Sequence, residues 1–405
     1  MYTFKVGIDP KEHDDFVKSN PLCNLLQSSS WAKVKYNWES EIVGVYQDGQ
    51  LVASSLVLIK LLPLKFTMFY TPRGPVMDYK NRELVEFFMK NLKKFAKTKH
   101  CLFIKSDPSI HYNDYKVTEQ NDDHYDVTEE MDNIAYAGGK HKSFATNISE
   151  NIQPRYQANV YKSETFEEDL PRHTRRLLKD AQKRGVHVSV TGAERLDEFS
   201  DVVELTEERK GVNLRNREYF KHLMETYGDD AFLFLGEVNL DDKLNEFTAD
   251  LEAIEKEIAE TPENARKKLN RLNDQKKSVS KYIQEFTAFK ETYPTNVVIA
   301  GVLSIKFGNT MEMLYAGMND DFKKFYPQYM IYVENMNFAF DRGCEWCNMG
   351  GVQGDLNDGL TKFKSNFNPM INEFIGEFDF PVNKLLYGLS EWAYALRKKR
   401  RSNTE

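Results

Sequence analysis

Apolar positions change period along the chain, and the longest regular stretch is helical. Leu244, Phe247, Leu251, Ile254 and Ile258 follow one another at spacings of 3, 4, 3 and 4. After Thr261-Pro262-Glu263-Asn264 the repeat resumes at Leu269, Leu272, Val279, Ile283 and Phe286, and no glycine occurs between Gly236 and Gly301. This spacing predicts two long helices joined by a turn and packed along the narrow seam of an antiparallel coiled coil. At 1.5 Å per residue the second helix would reach about 40 Å, so the pattern describes a projecting arm.

Elsewhere, strand and helix periods alternate. Residues 1–110 predict a helix over Asp9–Lys18 and another from Trp31, with Ser30 as its cap. Two β-rich runs, Glu41–Tyr46 and Leu51–Lys60, meet at the hairpin turn Gln47-Asp48-Gly49-Gln50. An amphipathic helix over Arg82–Lys97 and a strand at Cys101–Lys105 follow. This order suits an α/β acyltransferase lobe. A similar order returns with a helix over Pro171–Arg184 stopped by Gly185, a strand at Val186–Val190, helices over Leu196–Lys210 and Tyr219–Tyr227, and a strand at Ala231–Glu237 leading into the arm. A second hairpin turns at Gly308-Asn309, before a helix at Tyr329–Arg342 and a strand at Trp346–Met349. The expected fold is α/β in the α+β sense. One lobe is residues 1–150, with a C-terminal helix 380–405 packed on it. The other is 151–240 and 293–380, interrupted by the arm 241–292. Glu119–Ser149 is polar and predicts no element.

Charge sharpens this picture. From Asn264 to Lys290 eight bases face two acids, whereas Lys243 to Ala259 has two bases and five acids. Part of that asymmetry suits cross-helix pairing; the remainder would attract a phosphate backbone without reading sequence. Arg172, Arg175, Arg176, Lys179, Lys183 and Arg184 make the preceding helix basic too, and it could join the arm in one RNA-facing surface or simply be solvated. Arg397, Lys398, Lys399, Arg400 and Arg401 follow the helical repeat Leu389, Trp392, Ala393, Leu396. Such an end suits anionic lipid headgroups, or a solvated terminus that complements the helix dipole. The whole chain is acidic, with net charge −7 over 405 residues, so nucleic acid would have to be met by these local patches. The apolar and charged fractions, 41% and 29%, suit a globular protein. No secretory pattern or bilayer-length apolar run appears, and four cysteines do not build a disulfide framework. The expected location is cytoplasmic.

Several chemistries lack their residues. The eight histidines contain no His-x-x-x-His pair, so no metal is expected. Cys344-Glu345-Trp346-Cys347 has no second pair to complete a zinc site and reads as two core thiols. There is no Gly-x-Ser-x-Gly elbow and no coenzyme A pyrophosphate loop. Gly350-Gly351-Val352-Gln353-Gly354 is not a P-loop and reads as a tight turn.

Five pieces, in order, carry a resemblance: Leu26-Gln27-Ser28-Ser29-Ser30-Trp31; Tyr70-Thr71-Pro72-Arg73-Gly74-Pro75; Ile104-Lys105-Ser106-Asp107-Pro108; Ile152-Gln153-Pro154-Arg155; and Gly359-Leu360-Thr361-Lys362-Phe363-Lys364-Ser365-Asn366-Phe367. Together with the arm they resemble the Fem family of peptidoglycan interpeptide-bridge aminoacyltransferases, closest to the MurM/MurN branch. The resemblance implies two GNAT-like lobes and a tRNA-binding arm. It implies transfer of an amino acid, alanine or serine in this branch, from aminoacyl-tRNA to the side chain of lipid II or to a first bridge residue, with no cofactor. An aminoacyl ester is already activated, so the chemistry needs a neutral amine, a positioned carbonyl and a donor for the oxyanion.

The same resemblance implies roles for individual residues. Lys364, beside Phe363, would hold the donor and stabilise the tetrahedral intermediate, and Asp107 would orient the amine or act as its base. Lys35, Arg215 and Tyr219 would hold the precursor's pyrophosphate and sugar, with Trp38 and Tyr315 also contacting it. Each has a plainer reading: a surface lysine at 364, a turn aspartate before Pro108, packing aromatics at 38 and 315. Arg73-Gly74-Pro75 reads as a turn beside the cleft. Rival functions are glycyl transfer, a nucleotide-linked precursor, or a catalytically silent tRNA-binding or scaffolding paralogue.

Overall fold

The computed structural model of the protein describes residues 1–211 and 215–388. Among these residues the strands form two mixed sheets of eight. Neighbours in the first are Tyr2–Val6, Glu39–Gln47, Gln50–Leu61, Thr67–Thr71, Cys101–Ser106, Phe378–Pro381 and Lys140–His141, with Val76–Met77 paired to Gln50–Leu61. The second runs His187–Thr191, Ala231–Asn239, Asn296–Phe307, Thr310–Met318, Trp346–Val352, Tyr156–Tyr161, Met370–Phe374 and His111–Lys116. Most pairs are antiparallel; Thr67–Thr71 with Cys101–Ser106 and Thr310–Met318 with Trp346–Val352 are parallel.

Local sequence explains the principal elements. Ala53 to Ile59 is buried at every position, hence the near-continuous apolar run of a strand covered on both faces. The turn before it places Asp48 and Gly49 at φ 50° and 86°, the left-handed pair that a two-residue hairpin requires. Helix Arg82–Thr98 buries Leu84, Val85, Phe88, Met89, Leu92 and Ala96, one stripe of a 3.6-residue period, against the first sheet. Helix Pro327–Asp341 covers the second. A third core joins the lobes, bringing Trp31, Val34, Leu56, Leu58 and Tyr70 together with Phe199, Phe220, Leu223, Leu303 and Ile305.

Two strands cross between lobes. His111–Lys116 belongs to the second sheet, pairing with Met370–Phe374, and Phe378–Pro381 belongs to the first, pairing with Cys101–Ser106. A cut at residue 150 therefore does not separate the sheets. Phe380 and Pro381 end a strand where a helix was expected. Leu389, Trp392, Leu396 and the basic run 397–401 lie outside the described residues. Three smaller expectations also shift. Ser28, not Ser30, caps the helix Ser29–Val34, its Oγ accepting from the Trp31 amide at 3.2 Å. Glu119–Ser149 contains a helix, Thr128–Tyr136. The helix carrying Tyr219 begins at Arg217, capped by Asn216, so Arg215 precedes it.

The arm replaces the loop of a β-hairpin. Ala231–Asn239 and Asn296–Phe307 pair down to Asn239 opposite Asn296, and helices Leu240–Glu260 and Arg266–Thr292 rise between them. Phe247, Leu272, Val279 and Phe286 are buried along the contact, with Leu244, Leu251, Ile254 and Ile283 packed beside them. At the root Phe286 lies 5.3 Å from both Phe247 and Phe325, and Phe289 stacks on Phe322 at 4.4 Å. Phe286→Ala should therefore lower global stability by about 3–5 kcal/mol, read as a reduced urea midpoint. An unchanged midpoint would mean that the arm root packs independently of the lobe.

Candidate active site at the junction of the sheets

Four of the five sequence pieces converge where the sheets meet, and Arg73 is their common neighbour. Its side chain is 2% exposed, and φ at this residue is 52°. The backbone amide donates to Asp107 Oδ1 at 2.8 Å, Nη2 donates to the Pro154 carbonyl at 2.6 Å, and the guanidinium lies 4.3 Å from the Phe374 ring centroid. Gln27 holds the loop from beneath: its Nε2 donates to the Pro72 carbonyl at 2.6 Å and its Oε1 accepts from the Leu56 amide at 3.0 Å. A side chain at Gly74 would collide with Gln27. Ser106 Oγ donates to the Gly74 carbonyl at 2.6 Å, and Lys105 bridges Glu377 and Asp379 at 2.8 and 2.9 Å. Arg155 pairs with Glu373 and donates through Nε to the Phe374 carbonyl at 2.9 Å.

Asp107 is buried, with both oxygens engaged: Tyr70 donates its hydroxyl to Oδ2 at 2.9 Å, and the Arg73 amide holds Oδ1. Burial pushes its pKa up to about 7, Arg73 opposing and Glu377 reinforcing. Glu312, buried on strand Thr310–Met318, is likewise raised to about 7 by burial against the pull of Arg73. Sequence reasoning missed Glu312, Tyr70 and the burial of Arg73. The available signal was an acid inside the apolar run Met311-Glu312-Met313-Leu314, where a core strand has no other reason for one.

The residues assigned to the precursor form one connected group on the rim of the shared core. Lys35 ends the helix Ser29–Val34, its Nζ 5.0 Å from the Trp31 ring, and its carbonyl accepts from the Trp38 amide at 2.8 Å. Burial lowers its pKa, and Arg215 lowers it further. The exposed Arg215 guanidinium sits 5.0 Å from the Tyr219 ring, so the two meet although Arg215 is not helical. Tyr315 donates its hydroxyl to that of Tyr219 at 3.2 Å, and burial, then Tyr315, raises the Tyr219 pKa. Trp38 lies 6.4 Å from Tyr70, which leads to Asp107.

Lys364 and Phe363 stand apart from that group. Asp358 caps their helix, Gly359–Ser365, accepting from the Leu360 and Thr361 amides at 2.7 and 3.1 Å. Phe363 and Phe367 pack on Tyr329 and Tyr332 at 5.1–5.7 Å. Lys364 is 4% exposed, and among the described residues its Nζ makes one hydrogen bond, to the Gly351 carbonyl at 2.8 Å. The glycines are needed there: Gly350 has φ 85° with Lys364 above it, and a Cβ on Gly351 would run into the Pro154 ring. Lys364 thus reaches Asp107 through Gly351, Pro154 and Arg73, and not directly. Burial drives its pKa down to about 7, Asp358 opposing. An unfolded lysine titrates near about 10.4, so between these values the unfolded chain binds a proton that the folded chain releases, and stability rises with pH. Lys364→Met should therefore be more stable than the parent at pH 6, by an amount on the order of several kcal/mol. The gap should close between pH 7 and 10 in denaturant titrations; a constant gap would place the ammonium in solvent.

Comparison with known proteins places the whole chain. A family model described as the FemAB family matches residues 8–395. A lipid II:glycine glycyltransferase of Staphylococcus epidermidis is 31% identical over 406 residues, covering 96% of this chain and 95% of its own. One from Staphylococcus aureus is 29% identical over 411 residues, with the same coverage. The crystal structure of FemX superposes with a TM-score of 0.80 at 28% identity, covering 96% of this chain and 99% of that one. With a match that spans nearly all of its length, the chain belongs to the FemAB family.

Proposed function

We propose that the protein transfers an aminoacyl group from an aminoacyl-tRNA to an amine of lipid II, extending the peptidoglycan interpeptide bridge. Glycine is the group that the names of the relatives favour over the alanine or serine expected from the sequence. The observation that carries the reading is Lys364, a cation shielded from water at the end of the second sheet with its pKa near 7. In the step itself the acceptor nitrogen attacks the ester carbonyl and the C–N bond forms. The oxyanion is stabilised by the Lys364 ammonium, the bond between the acyl carbon and the ribose oxygen breaks, and the amine proton passes to that ribose oxygen. A buried charge facing the oxyanion acts more strongly than one in water. Lys35, Arg215, Tyr219, Trp38 and Tyr315 supply cations and aromatic faces for the pyrophosphate and sugar of the acceptor. Asp107, its oxygens already occupied, is a positioning residue for Tyr70 and the Arg73 loop.

The donor side is supported by charge placement. Lys268, Lys276 and Lys290 are neutralised by Glu257, Glu255 and Asp241. Arg266, Lys267, Arg271, Lys277 and Lys281 are exposed and make no ion pair among the described residues. Helix Arg172–Lys183 links this face to the reaction centre. At one end Thr174 donates to the Asn366 carbonyl at 2.6 Å, and past the other Arg184 pairs with Glu285 of the arm at 3.0 Å. Arg172, Arg175, Arg176, Lys179 and Lys183 are exposed between those contacts, so cations run from the helix of Lys364 to the arm.

Purified protein mixed with lipid II and separately charged glycyl-, alanyl- and seryl-tRNA should yield an acceptor heavier by one glycyl residue, read by mass spectrometry. Lys364→Met should reduce that rate by about 10²–10³-fold with RNA binding retained. No product from any charged RNA, with binding intact, would instead favour a scaffolding role. Lys267→Glu/Arg271→Glu should weaken tRNA affinity and flatten its salt dependence by about one unit of slope per lost phosphate contact, leaving the acceptor KM unchanged. An unaltered salt slope would remove the arm from RNA binding.

A further inference from the structure

We infer that the turn Leu61–Phe66 and the lysines around it form a docking surface for an anionic lipid bilayer. Apolar side chains are left in water here although the sheet behind them is fully packed. Leu61 is 72% exposed, Leu64 87% and Leu385 83%. Leu64 and Lys65 both adopt left-handed φ, 60° and 62°, which turns the tip outward; two adjacent residues other than glycine rarely do so without a constraint. The turn is closed by the Leu62 amide donating to the Phe66 carbonyl at 2.7 Å and is tied to the turn that follows the helix Arg82–Thr98 by the Thr67 amide donating to the His100 carbonyl at 3.2 Å. It is therefore a fixed apolar projection.

Cations surround it. Lys60, Lys65, Lys97 and Lys384 are exposed and make no ion pair among the described residues, and Glu39 is already engaged by Lys99 at 3.5 Å. Phe66, Lys97, His100, Lys384 and Leu385 line a shallow groove of about 500 Å³ beside the turn. Burial, then Lys384 and Lys97, lowers the pKa of nearby Lys93, as expected where lysines crowd together. Leucines at the apex with lysines behind them match a bilayer interface, where apolar groups enter the acyl boundary and ammonium groups meet phosphates. The sequence beyond residue 388 holds five consecutive bases at 397–401. A protein partner would need acidic complementarity to every lysine; a phosphatidylglycerol surface supplies it uniformly.

The position suits the proposed acceptor. Strand pairing sets Glu39 opposite Ile59, and Lys60 Nζ lies 5.3 Å from the Trp38 ring, so the tip is a few residues from the acceptor group. This docking goes beyond the proposed transfer and rests on it only for its purpose, because membrane binding can be read with neither substrate present. Full-length protein should float with phosphatidylglycerol/phosphatidylcholine vesicles, and not with phosphatidylcholine alone. Leu61→Ser/Leu64→Ser should lower the partition coefficient about tenfold or more, and Lys65→Glu should lower it on anionic vesicles and reduce its salt dependence. The serine variant should raise KM for lipid II in vesicles while leaving transfer to a soluble stem peptide unchanged. Flotation undiminished in the serine variant overturns the proposal, which is the outcome if the chain beyond 388 covers these leucines or binds the vesicle unaided. A parent dimer that the serine substitutions dissociate overturns it as well, since the patch would then face a second copy.

Discussion

A guanidinium in a dry junction is the constraint on which the rest of this molecule depends. Arg73 gives up hydration that its surroundings must replace, and an isolated buried charge would be strongly unfavourable. The replacement is distributed over both lobes: the Pro154 carbonyl and the Phe374 ring belong to one, while Asp107, whose charge it faces, belongs to the other. Glu312 and Glu377 add negative potential from the second sheet and from the strand connection. Because the partners of Arg73 come from both sheets and meet only when the sheets are in register, the position of Arg73 fixes that of its neighbours. Pro154 in turn sets where Gly351 can lie, and Gly351 holds Lys364. Residues far apart in sequence are thus placed by one buried cation.

The two halves of the candidate site handle charge differently, and each suits the task proposed for it. Lys35, Arg215 and the arm cations are exposed or half-buried, so their fields reach into solvent and weaken with salt, and in the proposed reaction they would draw phosphates from a distance. Lys364 is withdrawn from water, and its pKa near 7 means that proton loss costs little. Such a group is a poor long-range attractor and a strong short-range one. It becomes most favourable as an ammonium when negative charge develops beside it, which is the requirement for stabilising a tetrahedral intermediate more than the ester that precedes it.

Much of the fold was legible because it is local. The hairpin at Asp48-Gly49, the helix over residues 82–98 and the seam of the arm each follow from a period and a turn signal in one short window. His111–Lys116 and Phe378–Pro381 were not, because His-Tyr-Asn-Asp-Tyr-Lys lacks clear alternation, Phe-Asp-Phe-Pro is too short to establish a period, and which sheet they join is decided by partners hundreds of positions away. The candidate site divides in the same way. That Lys35, Trp38, Arg215, Tyr219 and Tyr315 gather came from resemblance, as no periodicity relates residue 35 to residue 315. Asn216 was the missed local signal, a helix cap that excludes Arg215 from the helix. Arg73 was read as a turn former, which its φ supports; its burial is a tertiary fact that Arg-Gly-Pro cannot reveal.

The exchanged strands limit how such a site can work. Opening the lobes as rigid bodies would strip His111–Lys116 from the second sheet and Phe378–Pro381 from the first, breaking ladder hydrogen bonds and exposing the core that the lobes share. Both costs are large compared with what one substrate contact returns. Hinge closure around the acceptor is therefore disfavoured as the event that assembles the reacting groups, and the connection from Asp107 to Lys364 holds in the resting protein. Adjustment falls to side chains with freedom to move, above all the exposed Arg215, and to the substrates, whose reacting ends must be brought to a framework that is already in place.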